Sequence, residues 1–470
     1  MKQKHPPGLD ECLAASGGTK ALITGSGVYR EIPGLLKTEY GSRRVFLIAD
    51  ENTLRAAGSE LEQILSTEKI EVAGRYIFPA EPRLHAEYCH IETLKNAIAA
   101  CVPAAYSGDC AQPLVPLAIG AGTINDLVKL AAAEISLPYL CIPTAASVDG
   151  FTSYGSAILK DNFKQTLPCD APRCVVADTG VLSRAPEWLS SSGFADLAGK
   201  ISAGADWIIA DAAAPFGAKG ADRIESAAWA MVQYGLYDYL DRSVTAAQGD
   251  QAALGSLFEA LSITGFAMQY IKNSRPVSGA EHLFAHVWEM DDISRNGNPV
   301  THGHKVAIGS LAAAAFLETL FADPNGPPPL SAAYRCPTLD DQIAEARAAF
   351  GTTAHAASPA LDSVIKTCVE KYHDEKNQAK IREGILDTWK ELRAKVLEQI
   401  MPYTGLRAMF AKARCPILPE EIGLSRSAVI ACARRGRMIR NRYSELDLAW
   451  DMGCFETVLA RIEESGVYFY

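Results

Sequence analysis

The sequence predicts an α/β domain followed by an all-α domain. Short apolar runs alternate with longer, alanine-rich amphipathic stretches from Lys20 to about Val181, and strand-like runs nearly vanish after "RAPEWLSSSGFADLAGK". A chain of 470 residues also exceeds what one ordinary core organises. We therefore place an α/β domain over residues 1–181 and a helical domain over 182–470.

The strands come first. "RRVFLIAD" (43–50), "EVAGRYIF" (71–78), "LVPLAIG" (114–120), "PYLCIP" (138–143) and "CVVAD" (174–178) are short apolar runs separated by helical patterns. That alternation implies a parallel sheet covered on both faces. In the second half, "ADPNGPPPLSAAYRCPTLDD" (322–341) is too rich in turn formers to continue a helix and separates two helical groups. The basic run "RRGRMIRNR" (434–442) reads as a solvated helix face or a subunit contact.

Composition bounds the function. With 45 basic and 55 acidic side chains the net charge is −10, the opposite of a nucleic-acid footprint. Small-molecule chemistry is the expectation. The longest apolar run, Val306–Phe321, is interrupted by Gly309, Ser310, Glu318 and Thr319, so neither a secretory signal nor a membrane span is expected. The 12 cysteines include no CxxC pair; Cys101, Cys110, Cys141, Cys169 and Cys174 read as reduced thiols of a cytoplasmic protein.

"LAIGAGTINDLVKLAAA" (117–133) reads as a buried strand, a glycine turn and a helix capped by Thr123 or Asn125. Such a turn lets backbone N–H groups approach a pyrophosphate. It lacks the third glycine of the dinucleotide fingerprint, and a plain strand-to-helix connection fits it equally. "IPTAASVDGFTSYGSAIL" (142–159) ends another strand with small residues around Asp149, leaving room for a ligand at the carboxyl ends of the strands, where an Asx-type turn at Asp149 and Gly150 is the alternative.

Four of nine histidines, His282, His286, His302 and His304, fall in one short window. In "EHLFAH" the spacing of four puts His282 and His286 on one helix face. His302 and His304 flank Gly303 just before a helix starting near Lys305, an alternating pair of which one points inward. A divalent site needs about three protein ligands, commonly histidines with one carboxylate. Asp196, after a glycine at an apolar helix start, is the carboxylate candidate; an N-cap role suits it as well.

Taken together, "GAGTINDLVK", "PTAASVDGFTS", "GFADLAGK", "SGAEHLFAHVWEM" and "THGHKVAIG" resemble the sn-glycerol-1-phosphate dehydrogenase family over about Lys20–Phe321. That family belongs with the dehydroquinate-synthase-like, iron-containing alcohol dehydrogenases. The resemblance implies an α/β NAD(P)-binding domain, a helical metal-binding domain and an active site in the cleft between them. It implies Asp196, His282 and His302 as metal ligands, His304 outside the shell, and His286, Asp149 and Asp196 as the residues that contact substrate and act on it. Gly122, Thr123, Ile124, Asn125, Asp126, Thr144, Ala145, Ala146, Ser147 and Ser153 would line NAD(H) or NADP(H). Asp50, ending "VFLIAD", is placed for the ribose hydroxyls, favouring NADH. Zinc suits the ligand set, with nickel or ferrous iron as alternatives. The implied reaction is reduction of dihydroxyacetone phosphate to sn-glycerol 1-phosphate; a glycerol dehydrogenase and a dehydroquinate-synthase-like lyase are the alternatives. Lys200 and Arg275 are the basic residues nearest in sequence for the phosphate. A homo-oligomer is expected.

Overall fold

The computed structural model describes residues 6–101, 113–160, 163–330, 334–351 and 359–470. Cys110 and positions 331–333 of the proline-rich stretch lie outside them. The strands are β1 (Ala21–Gly25), β2 (Arg44–Asp50), β3 (Glu71–Phe78), β4 (Val115–Gly120), β5 (Leu140–Pro143), β6 (Ser156–Lys160), β7 (Phe163–Leu167) and β8 (Cys174–Asp178). The helices of the first part are α1 (Leu9–Ser16), α2 (Ile32–Tyr40), α3 (Glu51–Thr67), α4 (Tyr88–Ala99), α5 (Gly122–Glu134) and α6 (Thr179–Leu182). Then follow α7 (Glu187–Ala213), α8 (Ser226–Gln233), α9 (Leu236–Ser243), α10 (Gln251–Ile271), α11 (Ala280–Met290) and α12 (His302–Leu320). The C-terminal helices are α13 (Leu339–Phe350), α14 (Pro359–Lys371), α15 (Glu375–Asp387), α16 (Trp389–Gln399), α17 (Tyr403–Lys412), α18 (Arg426–Gly436), α19 (Glu445–Asp451) and α20 (Phe455–Glu464).

Contacts divide the chain into two compact units, the first of residues 1–160, 164–197 and 230–273, the second of 161–163, 198–229 and 274–470. In the first, six strands form one sheet in the order β1-β8-β5-β4-β2-β3, every pair parallel. Alternate residues explain why both faces need covering. Val45, Leu47, Leu117, Ile119, Leu140 and Val176 pack with Tyr29, Leu36, Leu61 and Leu65 in one core, while Phe46, Ile48, Ala118, Cys141 and Val175 of the opposite parity are equally buried. The five runs expected as strands all lie in this sheet. α10 also belongs to this unit and packs on α1 and on the 3₁₀ turn Asp149–Phe151.

The second unit is helical. α12 is buried nearly all round, as befits a central helix, with α11, α17, α18, α19 and α20 against it. Its first turn begins at His302, not near Lys305, because Thr301 is the N-cap: its hydroxyl accepts the His304 N–H at 3.2 Å. Both histidines therefore sit on a helix turn and do not alternate as on a strand. Between α11 and α12 a short antiparallel pair, Ser294–Arg295 with Asn298–Pro299, turns on Asn296 and Gly297 at φ of 52° and 77°, the conformation Asn-Gly favours in tight hairpins. The described part of the proline-rich stretch is neither helix nor strand up to α13. Among the described residues no helix is long and apolar enough to cross a membrane.

Candidate active site

In the first unit the strand order reverses around β2: β3 lies on one side of it and β4 on the other. That is a switch point, where a crevice opens at the carboxyl ends of the strands. Asp50 ends β2 and Gly120 ends β4. α5 starts directly after, at Gly122, and no side chain caps it, so its first-turn N–H groups remain for an anion. The expected caps are absent for a physical reason. Asn125 is turned inward, its amide donating to Gly150 O at 3.2 Å while its oxygen accepts from Tyr139 Oη at 2.9 Å. Asp50 Oδ1 accepts from the N–H groups of Asn52 and Thr53, both at 2.8 Å, which makes Asp50 the N-cap of α3.

Gly122, Thr123 and Asp126 are partly exposed; Ile124 and Asn125 are buried. Thr144, Ala145, Ala146 and Ser147 follow β5 and are buried, with the Thr144 N–H donating to Gly120 O at 3.1 Å. A β-carbon on Gly193 of α7 would lie 1.9 Å from Ala146 O, so only glycine lets α7 press on this turn. The loop 149–155 is held from within by Lys129, fully buried, whose ammonium donates to Gly150 O at 2.7 Å and to the Ser153 and Gly155 carbonyls and Ser153 Oγ at 3.1 Å. Nothing in the sequence marks this lysine, since its partners are carbonyls.

The candidate ligands lie on three helices, Asp196 on α7, His282 on α11 and His302 on α12. One ligand atom each of Asp196, His282 and His302 lie within 4.8 Å of one another. Asp196 sits well inside the 27-residue α7, not at a helix start, and is fully buried; its Oδ2 accepts the Asp149 N–H at 2.9 Å. One turn on, a β-carbon at Gly199 would lie 2.8 Å from Val306 and 3.2 Å from the Glu281 side chain, and one at Gly309 would lie 2.3 Å from Glu281 O. Glycines thus let α7, α11 and α12 pack closely where these residues lie. His286 completes the group, its ring centroid 6.0 Å from that of His282 and 5.9 Å from that of His302.

Two glutamates, adjacent to the histidines in sequence and easily passed over, organise them. Glu281 Oε1 lies 2.7 Å from His282 Nδ1 and is itself fixed by the Gly279 N–H at 2.7 Å. Glu289 bridges two rings, with Oε1 2.7 Å from His302 Nδ1 and Oε2 2.9 Å from His286 Nδ1. An ionised carboxylate only accepts. Donation from each Nδ1–H to these carboxylates would leave Nε2 as a lone pair, the state a metal ligand needs. The i+3 spacing of Glu289 from His286 is the sequence signal for it; the inward curl of Glu281 has none. Burial, then the Arg440 guanidinium, hold His286 well below the usual histidine range, opposed by Glu289. One carboxylate with two imidazoles suits a divalent ion of borderline softness.

Of the basic residues nearest in sequence, Arg275 is committed to the protein framework. Arg275 is 2% exposed and tied to Asp206 O and Tyr443 O at 2.9 and 3.0 Å and to Asp222 at 3.0 Å. Lys200 is fully buried. Arg275 is framework, where a phosphate receptor was expected.

Comparison with known proteins agrees with this architecture. Residues 23–186 match the family model described as iron-containing alcohol dehydrogenase. The chain is 34% identical over 287 residues to a glycerol-1-phosphate dehydrogenase [NAD(P)+] of Bacillus velezensis, spanning 61% of this chain and 68% of that one. It is 34% identical over 192 residues to the protein of the same name from Methanothrix thermoacetophila, 41% and 51% of the two chains. Glycerol dehydrogenase from Schizosaccharomyces pombe, 15% identical, shares the fold at a TM-score of 0.52 over 95% of this chain and 91% of its own. The chain belongs to the glycerol-1-phosphate dehydrogenase family.

Proposed function

We propose that the protein reduces dihydroxyacetone phosphate to sn-glycerol 1-phosphate with NADH or NADPH. The observation that carries this reading is the convergence of Asp196, His282 and His302 in a chain related to enzymes of that name. Asp196, His282 and His302 would hold a divalent ion, which would supply Lewis-acid polarisation of the ketone, and the N-terminus of α5 would hold a nicotinamide cofactor, which would supply hydride. The chain's own residues do the rest. Glu281 and Glu289 orient the ligand rings, and the Asp149 N–H orients the Asp196 carboxylate. His286, with Nδ1 beside Glu289, takes up a proton from solvent at Nε2 and passes it on to the new hydroxyl oxygen, and in the reverse oxidation the same lone pair accepts the hydroxyl proton. The first turn of α5 with Thr144–Ser147 forms the cofactor cradle, and buried side chains around it exclude water.

The deciding measurement is NADH oxidation with dihydroxyacetone phosphate against dihydroxyacetone. A site built for phosphate leaves donors unpaired when the group is missing, so kcat/KM should favour the phosphorylated ketone by about 100-fold or more. Equal turnover of dihydroxyacetone would move the assignment to unphosphorylated glycerol. The cradle is tested separately. A β-carbon on Gly122 would lie 2.9 Å from Val148 Cγ2, so Gly122→Val displaces the turn and should raise the KM for NADH about tenfold or more. Metal content should not move; unchanged NADH binding would remove this turn from the cofactor site.

A further inference from the structure

Five arginines follow one another in "ARRGRMIRNRY" (433–443), and the structure gives four of them internal partners. Arg434 pairs with Glu456, its Nε 3.0 Å from Oε1. Arg435 grips Asp291 with both terminal nitrogens at 2.6 and 2.8 Å. Arg437 stacks 3.7 Å over Trp450 and lies 3.7 Å from Glu345. Arg442 donates to Ser278 O at 2.5 Å and Ser274 Oγ at 2.8 Å. The run is clamped to the helical unit at these four positions, with the Arg434–Glu456 pair still open to solvent. Arg440 differs. It is half-buried, yet its guanidinium has no hydrogen bond or ion pair among the described residues.

Its position is bracketed by its neighbours. Arg435 reaches Asp291 just past the C-terminal end of α11, Gly436 packs on Leu283 within α11, and Arg442 reaches Ser278 just before it. Arg440 accordingly lies alongside the helix that carries His282 and His286. The charges agree, since Glu289 acts on Arg440 and Arg440 acts on His286. A partly desolvated guanidinium with no anion bonded to it among the described residues is costly, and its planar fork matches a phosphate bidentately.

We propose that Arg440 receives the phosphate of the substrate, so that the segment between α18 and α19 supplies the residue that separates a phosphorylated ketone from its unphosphorylated counterpart. The proposal rests on the function inferred above. The ligand chemistry is a phosphate monoester dianion; the competing source of such a group is the cofactor.

The test uses the full chain loaded with metal, unmodified and as Arg440→Ala and Arg440→Lys. The ratio of kcat/KM for dihydroxyacetone phosphate over dihydroxyacetone should fall about 10- to 100-fold in Arg440→Ala, chiefly through KM, with partial recovery in Arg440→Lys. Isothermal titration with inorganic phosphate should weaken about tenfold or more in Arg440→Ala. Because the Arg440 guanidinium makes no hydrogen bond or ion pair among the described residues, the melting temperature should stay within about 2 °C; were the alanine variant to misfold, Arg440→Lys carries the same titration. An unmodified enzyme that prefers dihydroxyacetone phosphate, with that preference and its phosphate affinity intact in Arg440→Ala, overturns this inference alone. A rise in the KM for NADH with an unmoved substrate ratio overturns it too, assigning Arg440 to the cofactor. If the unmodified enzyme shows no preference, the function falls, and the phosphate titration still decides whether Arg440 binds an anion.

Discussion

Replacing His282 or His302 by alanine is expected to strip the protein of divalent metal and of activity together. Each ring is one of three groups whose ligand atoms lie within 4.8 Å of one another, and two remaining ligands hold a divalent ion poorly. Outer partners of metal-bound histidines are themselves worth about 10- to 100-fold in affinity, so loss of the ring must cost more. Glu289→Gln supplies the internal scale: the amide still bonds one ring but no longer serves two Nδ1–H groups as acceptor, and metal affinity should drop within that 10- to 100-fold range. The check is metal content after dialysis, followed by titration with zinc and nickel. His304→Ala should retain the ion. Full metal in His282→Ala and His302→Ala would remove the ligand assignment, and loss of metal in His304→Ala would shift it along the first turn of α12.

Gly309→Val is expected to damage the same site without touching a ligand. A β-carbon there would lie 2.3 Å from Glu281 O, a contact with backbone that no rotamer relieves. α12 must move away from α11, carrying His302 from His282, while the Glu281 that fixes His282 is pushed as well. Overpacking of this kind costs about 1–3 kcal/mol in stability, and a displacement near 1 Å at a reacting centre costs about 100-fold in rate. Thermal melting, metal titration and turnover measured on one preparation test the claim. A variant that melts like the unmodified protein and binds metal equally would show that the helices have slack there.

The parts of this molecule that could be read from sequence share one property: their signal is local. Central parallel strands are buried on both faces, so "VFLIAD", "LAIG" and "CVVAD" stand out as unbroken apolar runs. β1 ("ALITG") and the β6–β7 pair ("SAILK", "FKQTL") are harder to read. Edge and two-stranded segments bury less and carry mixed residues. His282 and His286 announce themselves by their spacing, and the family motifs add His302 and Asp196. Arg440 could not be separated from its four neighbours, because arginines in a run look alike until each partner is known. Lys129 escapes for the same reason, its partners being carbonyls of a loop more than twenty residues away. Nor could the course of α7 be foreseen from "GFADLAGK": its glycines resemble helix breakers, yet Gly193 and Gly199 mark where other chain segments press closest.

Glu289 holds His302 with one oxygen and His286 with the other. In the proposed mechanism the first ring binds the ion and the second handles the proton, so a single carboxylate is shared by two jobs usually assigned to different parts of a site. Neither ring can turn, gain charge or be replaced without altering the acceptor available to the other. Substitutions at His286 should therefore change metal affinity, although His286 stands outside the proposed ligand set, and the effects of altering His286 and Glu289 should fall short of adding. Metal loading and proton delivery form one adjustable unit here, and a lineage or a designer seeking a different ion would have to retune both at once.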